Sequence, residues 1–201
     1  LAAWFPFGLP EPAIETQPGR DPTFLNNGNG SFESGVISRR TFDGSGGLAV
    51  EMDISTPIKL LQWQVVKASM ISSADTMQFA SARGLNAIPR FDRSREWCGF
   101  GYPEEGRLSG TRRLLAVSSR TRLDDLPVGG FDDGRPWRLR LQLFPDGRCG
   151  VAVNGVPLMV LDGGAAPSDS LRLMILGNSY HTRIGVGRVR LFSGVPPGVD
   201  W

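Results

Sequence analysis

Glu51 and Asp53 stand two residues apart in Gly47-Leu-Ala-Val-Glu-Met-Asp-Ile-Ser55. In an extended chain their carboxylates therefore share one face. Two carboxylates roughly 5 Å apart on one strand face are what retaining glycoside hydrolysis needs, one as nucleophile and one as proton donor. The plainer reading of the same pair is the solvated side of a half-buried strand. His181, the only histidine, lies in Asn178-Ser-Tyr-His-Thr182, and no Gly-x-Ser-x-Gly elbow is present to build a serine triad around it. It reads as a surface loop residue.

Asp124-Asp125 and Asp132-Asp133 flank a Gly-rich loop and offer oxygen ligands for Ca²⁺. No fixed ligand spacing is visible, so they read as polar loop residues, and no cofactor is assigned. Cys98 and Cys149 are the only cysteines, and neither sits in a Cys-x-x-Cys pair. With one histidine, they leave too few soft ligands for a structural zinc site. Whether they pair, as in an exported protein, or remain two buried thiols is open at this level, because spacing does not reveal Cα separation.

Arginine dominates the basic residues: only Lys59 and Lys67 are lysines among 22, and the net charge is +2. Overall charge therefore calls for no nucleic-acid partner. Arg138 and Arg140 alternate with Leu139 and Leu141, Arg172 stands between Leu171 and Leu173, and Arg188 and Arg190 flank Val189. If these strands are neighbours, five guanidiniums share one sheet surface. They then need acidic neighbours on adjacent strands, anionic lipid or an anionic partner. Trp63, Trp97 and Tyr102 could stack on sugar rings, but Trp63 and Trp97 lie in strand-like runs that favour core packing.

The elements that must position these residues are strands. The chain has 201 residues, with 26 Gly and 15 Pro, a density of turn formers that suits many short strands and argues against a helical bundle. Leu48, Val50, Met52 and Ile54 alternate with Ala49, Glu51 and Asp53, the period of a half-buried strand. Leu60–Met70, Thr76–Ala82, Trp97–Tyr102 and Leu114–Ser119 are further candidates. Trp137–Leu143 alternates again, Pro145-Asp-Gly147 turns the chain, and Val151-Ala-Val-Asn-Gly155 returns. Leu171–Leu176 and Ile184–Phe192 complete the set. No long amphipathic helix, internal repeat or membrane-length apolar run is present.

Residues 1–30 read as an extended arm, in which prolines 6, 10, 12, 18 and 22 prevent regular pairing and Asn26-Asn-Gly-Asn-Gly30 turns the chain. A strand-dense domain, 31–201, follows. Trp4, Phe5 and Phe7 make the start unusually apolar. One reading places them at headgroup level after a removed signal or a membrane anchor. The other packs them on their own domain or on a partner.

Trp137-Arg-Leu-Arg-Leu-Gln-Leu-Phe-Pro-Asp-Gly-Arg-Cys-Gly-Val-Ala-Val-Asn-Gly155 resembles the back-sheet hairpin of concanavalin A-like lectin and glucanase domains, including laminin-G-like and pentraxin-like members. There a Trp opens one strand, Asp-Gly turns it, and the return ends in Asn-Gly. Leu171-Arg-Leu-Met-Ile-Leu-Gly177 and Ile184-Gly-Val-Gly-Arg-Val-Arg-Leu-Phe192 resemble the closing strands. The resemblance implies an all-β, two-sheet antiparallel jelly-roll sandwich. Within that superfamily, Glu51-Met-Asp-Ile-Ser-Thr56 resembles the Glu-x-Asp-x-(x)-Glu strand of family-16-type glucanases. Ser55 and Thr56 stand where the acid/base Glu is needed, and no hydroxyl protonates a glycosidic oxygen near neutral pH.

The reading is therefore a non-catalytic, extracytoplasmic binding or assembly module. Its expected partners are proteins of a larger membrane-associated complex, docked through Trp4, Phe5 and Phe7, then through Arg138, Arg140, Arg172, Arg188 and Arg190. The alternative is a carbohydrate-binding or sensor domain of a membrane-anchored signalling protein. A family-16-like hydrolase is disfavoured.

Overall fold

A computed structural model describes residues 4–8, 13–15, 23–26, 34–55, 65–73, 96–102, 113–118, 120, 122–127, 137–164, 170–178 and 184–201. The strands are β1 (Trp4–Gly8), β2 (Ala13–Glu15), β3 (Thr23–Asn26), β4 (Ser34–Ser38), β5 (Leu48–Ser55), β6 (Val65–Ser72) and β7 (Glu96–Tyr102). They continue with β8 (Arg113–Ser118), β9 (Arg122–Pro127), β10 (Trp137–Leu143), β11 (Cys149–Val153), β12 (Val156–Leu161), β13 (Leu171–Asn178) and β14 (Ile184–Ser193). Among the described residues they form two seven-stranded antiparallel sheets. The front sheet runs β1-β4-β13-β6-β7-β8-β9, and the back sheet runs β12-β11-β10-β5-β14-β3-β2. This is the expected jelly-roll sandwich.

Alternation explains the interior. On β5, Leu48, Val50, Met52 and Ile54 are buried, while Glu51 and Asp53 stay half-exposed on the outer face. Leu139, Leu141 and Leu143 of β10 and Val151 of β11 join them from the back sheet; Ala68, Met70, Phe100, Leu171, Leu173 and Ile175 close the core from the front. Trp137 is buried against Phe100 in an edge-to-face contact, ring centroids 5.8 Å apart. Trp97 also belongs to this core, as its place in a strand-like run suggests.

Cys98 of β7 and Cys149 of β11 form a disulfide with Cα atoms 5.1 Å apart. The bond joins front sheet to back sheet through the core. Of the two options that the sequence leaves open, the structure takes the bridged one.

The β10–β11 hairpin turns at Pro145-Asp-Gly147, where Gly147 (φ 86°) supplies the left-handed residue. Asn154 (φ 52°) and Gly155 (φ 83°) then form a two-residue turn into β12. Both φ values are positive, as the turn type that matches strand twist requires.

Two expectations change. Residues 4–8, 13–15 and 23–26 are not unpaired: β1 pairs with β4, β2 with β3, and β3 with β14. Pro6 is tolerated because β1 is the outermost strand of its sheet among the described residues, and edge strands accept proline. Strands β4, β9 and β12 add to those that alternation marks in the sequence. Thr76–Ala82, Trp63 and His181 lie outside the described residues. Among the described residues no helix is long and apolar enough to cross a membrane.

Candidate functional site on the back sheet

The outer face of the back sheet gathers the charged residues of β5, β10 and β14. β5 lies between the other two strands, so its carboxylates meet arginines on both sides. Asp53 is opposite Arg138 in register, and the Arg138 Nε–H donates to its Oδ1 at 3.0 Å. The Arg188 Nε approaches the other oxygen, Oδ2, at 3.6 Å. Arg188 reaches it from an irregular stretch of β14 between Gly187 and Arg190, where Arg188 itself takes φ 49°.

Glu51 is in register with Arg140 on one side and Arg190 on the other. The Arg140 Nε lies 3.3 Å from Glu51 Oε1 but off the hydrogen-bond axis, so this contact is coulombic. Arg140 is also only 4% exposed, unlike Arg138, Arg188 and Arg190. Its guanidinium fork points into the segment after β14: both terminal nitrogens donate to the Pro197 carbonyl, at 3.2 and 3.1 Å.

That segment, residues 194–201, lies across the outer face. Gln142, next to Arg140 on the same side of β10, donates from Nε2 to Gly194 O at 3.0 Å and is fully buried. Further along, the Trp201 indole rests on Gly150 of β11. A Cβ at Gly150 would fall 2.5 Å from the ring, so only glycine leaves the space. Phe144 meets the same indole edge-to-face at 5.6 Å, and the Arg148 guanidinium covers Phe144 at 4.9 Å.

Arg172 does not belong here. It lies on β13 of the front sheet, where Nη1 donates to Ser38 O at 2.6 Å and also to Arg39 O. The expected five-arginine surface is therefore four arginines with Glu51 and Asp53 set among them. Strand adjacency decides this: β10 and β14 both flank β5, whereas β13 pairs with β4 and β6. Trp4, Phe5 and Phe7 sit within β1, at the edge of the front sheet, and their side chains lie outside the described set.

The front sheet carries a polar pair that sequence reasoning missed. Ser69 Oγ donates to Glu96 Oε2 at 3.0 Å, and both residues are buried on the outer side of β6 and β7. A Cβ at Gly99 would lie 2.6 Å from Ser69 Oγ and 2.9 Å from Glu96 Oε2, so this glycine makes room for the pair. Ile37, Ile71 and Met174 form a small apolar cluster on the same side. Neither Ser69 nor Glu96 carries a motif; only the gap at Gly99 in a strand hints at them.

Asp124 and Asp125 are on β9, with carboxylates outside the described set, as are Asp132 and Asp133 entirely. Among the described residues no three His, Cys, Asp or Glu side chains converge as a metal site would require.

No family model matches the chain, and no curated protein matches it in sequence. Solved structures do match it in shape. The Emp47p carbohydrate recognition domain is similar over 97% of this chain and 90% of its own, with TM-score 0.65 and 14% identity. A legume lectin-like domain from Entamoeba histolytica is similar over 97% and 91%, with TM-score 0.60 and 12% identity. A Bacillus subtilis protein with a galectin-like fold is similar over 96% and 90%, with TM-score 0.59 and 14% identity. The chain has the concanavalin A-like lectin fold.

Proposed function

We propose, from the premise of that fold, that this chain is a non-catalytic carbohydrate-binding module acting outside the cytoplasm. The observation that carries the reading is the extent of the match: nearly the whole chain aligns with nearly the whole of domains described as carbohydrate recognition domains. Fold alone does not assign a ligand, so the chemistry must agree as well. It does in two respects. Glu51 and Asp53, the pair that could have served hydrolysis, face arginines, and Ser55 rather than a carboxylate follows them. The Cys98–Cys149 bond supports an oxidising compartment, where such bonds persist.

The test is retention of the purified, disulfide-intact chain on a panel of immobilised glycans, neutral and acidic. Specific retention that a soluble oligosaccharide reverses is the expected result. Silence across the panel would remove the reading.

A second reading, an accessory subunit of a larger membrane-associated assembly, has one observation in its favour. Edge strand β12 carries Val156, Leu158 and Val160 with their side chains turned to solvent, Val156 at 61% exposure. Under this reading, replacing the three with Thr strips co-purifying proteins from the chain while leaving it folded. Unchanged co-purification would count against it.

A further inference from the structure

Arg140 and Gln142 occupy outward positions on β10, yet they are 4% and 0% exposed because residues 194–201 lie over them. Outward strand positions ordinarily face water. The cover is irregular backbone. Its two adjacent prolines have no N–H, so it cannot add to the sheet as a strand, and Val195, Pro197, Gly198 and Asp200 remain exposed. It is held by the Gly194 N–H bond to Gly47 O, the fork on Pro197 O, the Gln142 bond to Gly194 O, and the indole on Gly150 and against Phe144.

Two of the holding points also suit a ligand group. A guanidinium fork suits two oxygens of an anion, yet Arg140 directs both terminal nitrogens at one neutral carbonyl. The Gly150 position is a backbone shelf on which a flat six-membered ring already rests, walled by Phe144. In register, Gly150 is opposite Gln142, and Arg140 is the next outward residue along β10. Such diagonal neighbours are about 7–8 Å apart, the distance from a pyranose ring to a carboxylate contact one residue away.

We infer that residues 194–201 are a displaceable strap that mimics an acidic sugar. A uronate residue takes the place of the Trp201 ring on Gly150, and the carboxylate of the adjoining uronate takes the place of Pro197 O in the Arg140 fork. This inference rests on the carbohydrate-binding reading and adds the ligand class, the face and the self-occupancy. Exposed Arg138, Arg188 and Arg190 on the same face would draw in a polyanionic chain.

The experiment titrates oligogalacturonate, neutral oligogalactose and inorganic polyphosphate into the wild type, Trp201→Ala and Arg140→Lys with Trp201→Ala. Trp201 lies on the outer face of the back sheet, outside the core between the sheets, and its removal leaves the shelf open; unchanged thermal melting confirms folding. Expected is a gain of about tenfold in oligogalacturonate affinity for Trp201→Ala, since the strap no longer competes. Arg140→Lys, which keeps the charge but loses the fork, cancels the gain. Equal uronate affinity in wild type and Trp201→Ala, or a gain that survives Arg140→Lys, overturns the strap. If neutral sugar binds all three proteins alike, the inference fails while the carbohydrate-binding reading stands. If neither sugar binds any of them, the inference fails, and the carbohydrate-binding reading falls with it only if the glycan panel is silent too. Polyphosphate binding that follows Trp201 and Arg140 without uronate binding overturns the ligand class.

Discussion

Cys98 and Cys149 are bonded across the sandwich, 51 residues apart in sequence and 5.1 Å apart between Cα atoms, so one covalent link ties β7 of the front sheet to β11 of the back sheet. Closing a loop of that length restricts the unfolded chain, and both partners are fully buried. Replacing both with Ala lowers unfolding free energy by about 3–5 kcal/mol. Urea denaturation of the double variant against the oxidised wild type measures it. A loss below about 1 kcal/mol would mean the bond contributes little beyond packing.

Arg140 and Arg138 share a strand and a side of it, but their environments differ. Arg138 holds Asp53 with its side chain 48% exposed, a surface ion pair whose removal costs under about 1 kcal/mol. Arg140 is buried, and its removal strands Pro197 O and leaves Glu51 without its nearest cation. Arg140→Met is therefore expected to cost about 2–3 kcal/mol, and Arg138→Met much less, in the same denaturation assay. Similar costs for the two would contradict the burial contrast.

Gly155 takes φ 83° in the Asn154-Gly155 turn, and the atom nearest to an added Cβ would be Gly198 O at 4.0 Å. The cost of a side chain there is purely conformational. Gly155→Ala should destabilise by about 1 kcal/mol, and Gly155→Asn by less, because Asn tolerates the left-handed region. Thermal melts of the pair give the order, and an Asn variant weaker than the Ala variant would contradict it.

Asp146 accepts the Arg148 backbone N–H at 3.1 Å and the Arg148 Nε–H at 2.7 Å. The backbone bond first, then the side-chain bond, holds its carboxyl below the ordinary aspartate range. Because the folded value is the lower one, the associated stability is complete above the unfolded value and is lost as pH falls through the folded value. NMR titration should show Asp146 ionising at lower pH than an exposed reference Asp, and Arg148→Ala should raise it. An unchanged midpoint in that variant would show that the Arg148 side-chain bond does not act on the carboxyl, since Ala keeps the backbone N–H at 148.

The legible part of the fold was the part governed by period. Leu48 to Ile54 and Leu139 to Leu143 each bury one side only, so alternation states their direction directly. β12 was not legible, because Val156-Pro-Leu-Met-Val-Leu161 is apolar throughout and yet largely exposed. β1 was hidden by Pro6, which would break a central strand but not an edge one. Of the candidate site, the outward direction of Arg138, Arg140, Arg188 and Arg190 was readable. The carboxylates that meet them were visible only as a possible hydrolytic pair.

What the sequence determines by itself is local: strand period, the glycine-dependent turns at Gly147 and Gly155, and the lack of a third carboxylate after Asp53. What only the tertiary structure decides is adjacency. It separates Arg172 from the other arginines, joins Cys98 to Cys149, and lays Trp201 on Gly150. The physical reason is that side-chain direction follows from backbone dihedrals at neighbouring residues, whereas strand order is settled by burying the whole set of apolar faces at once.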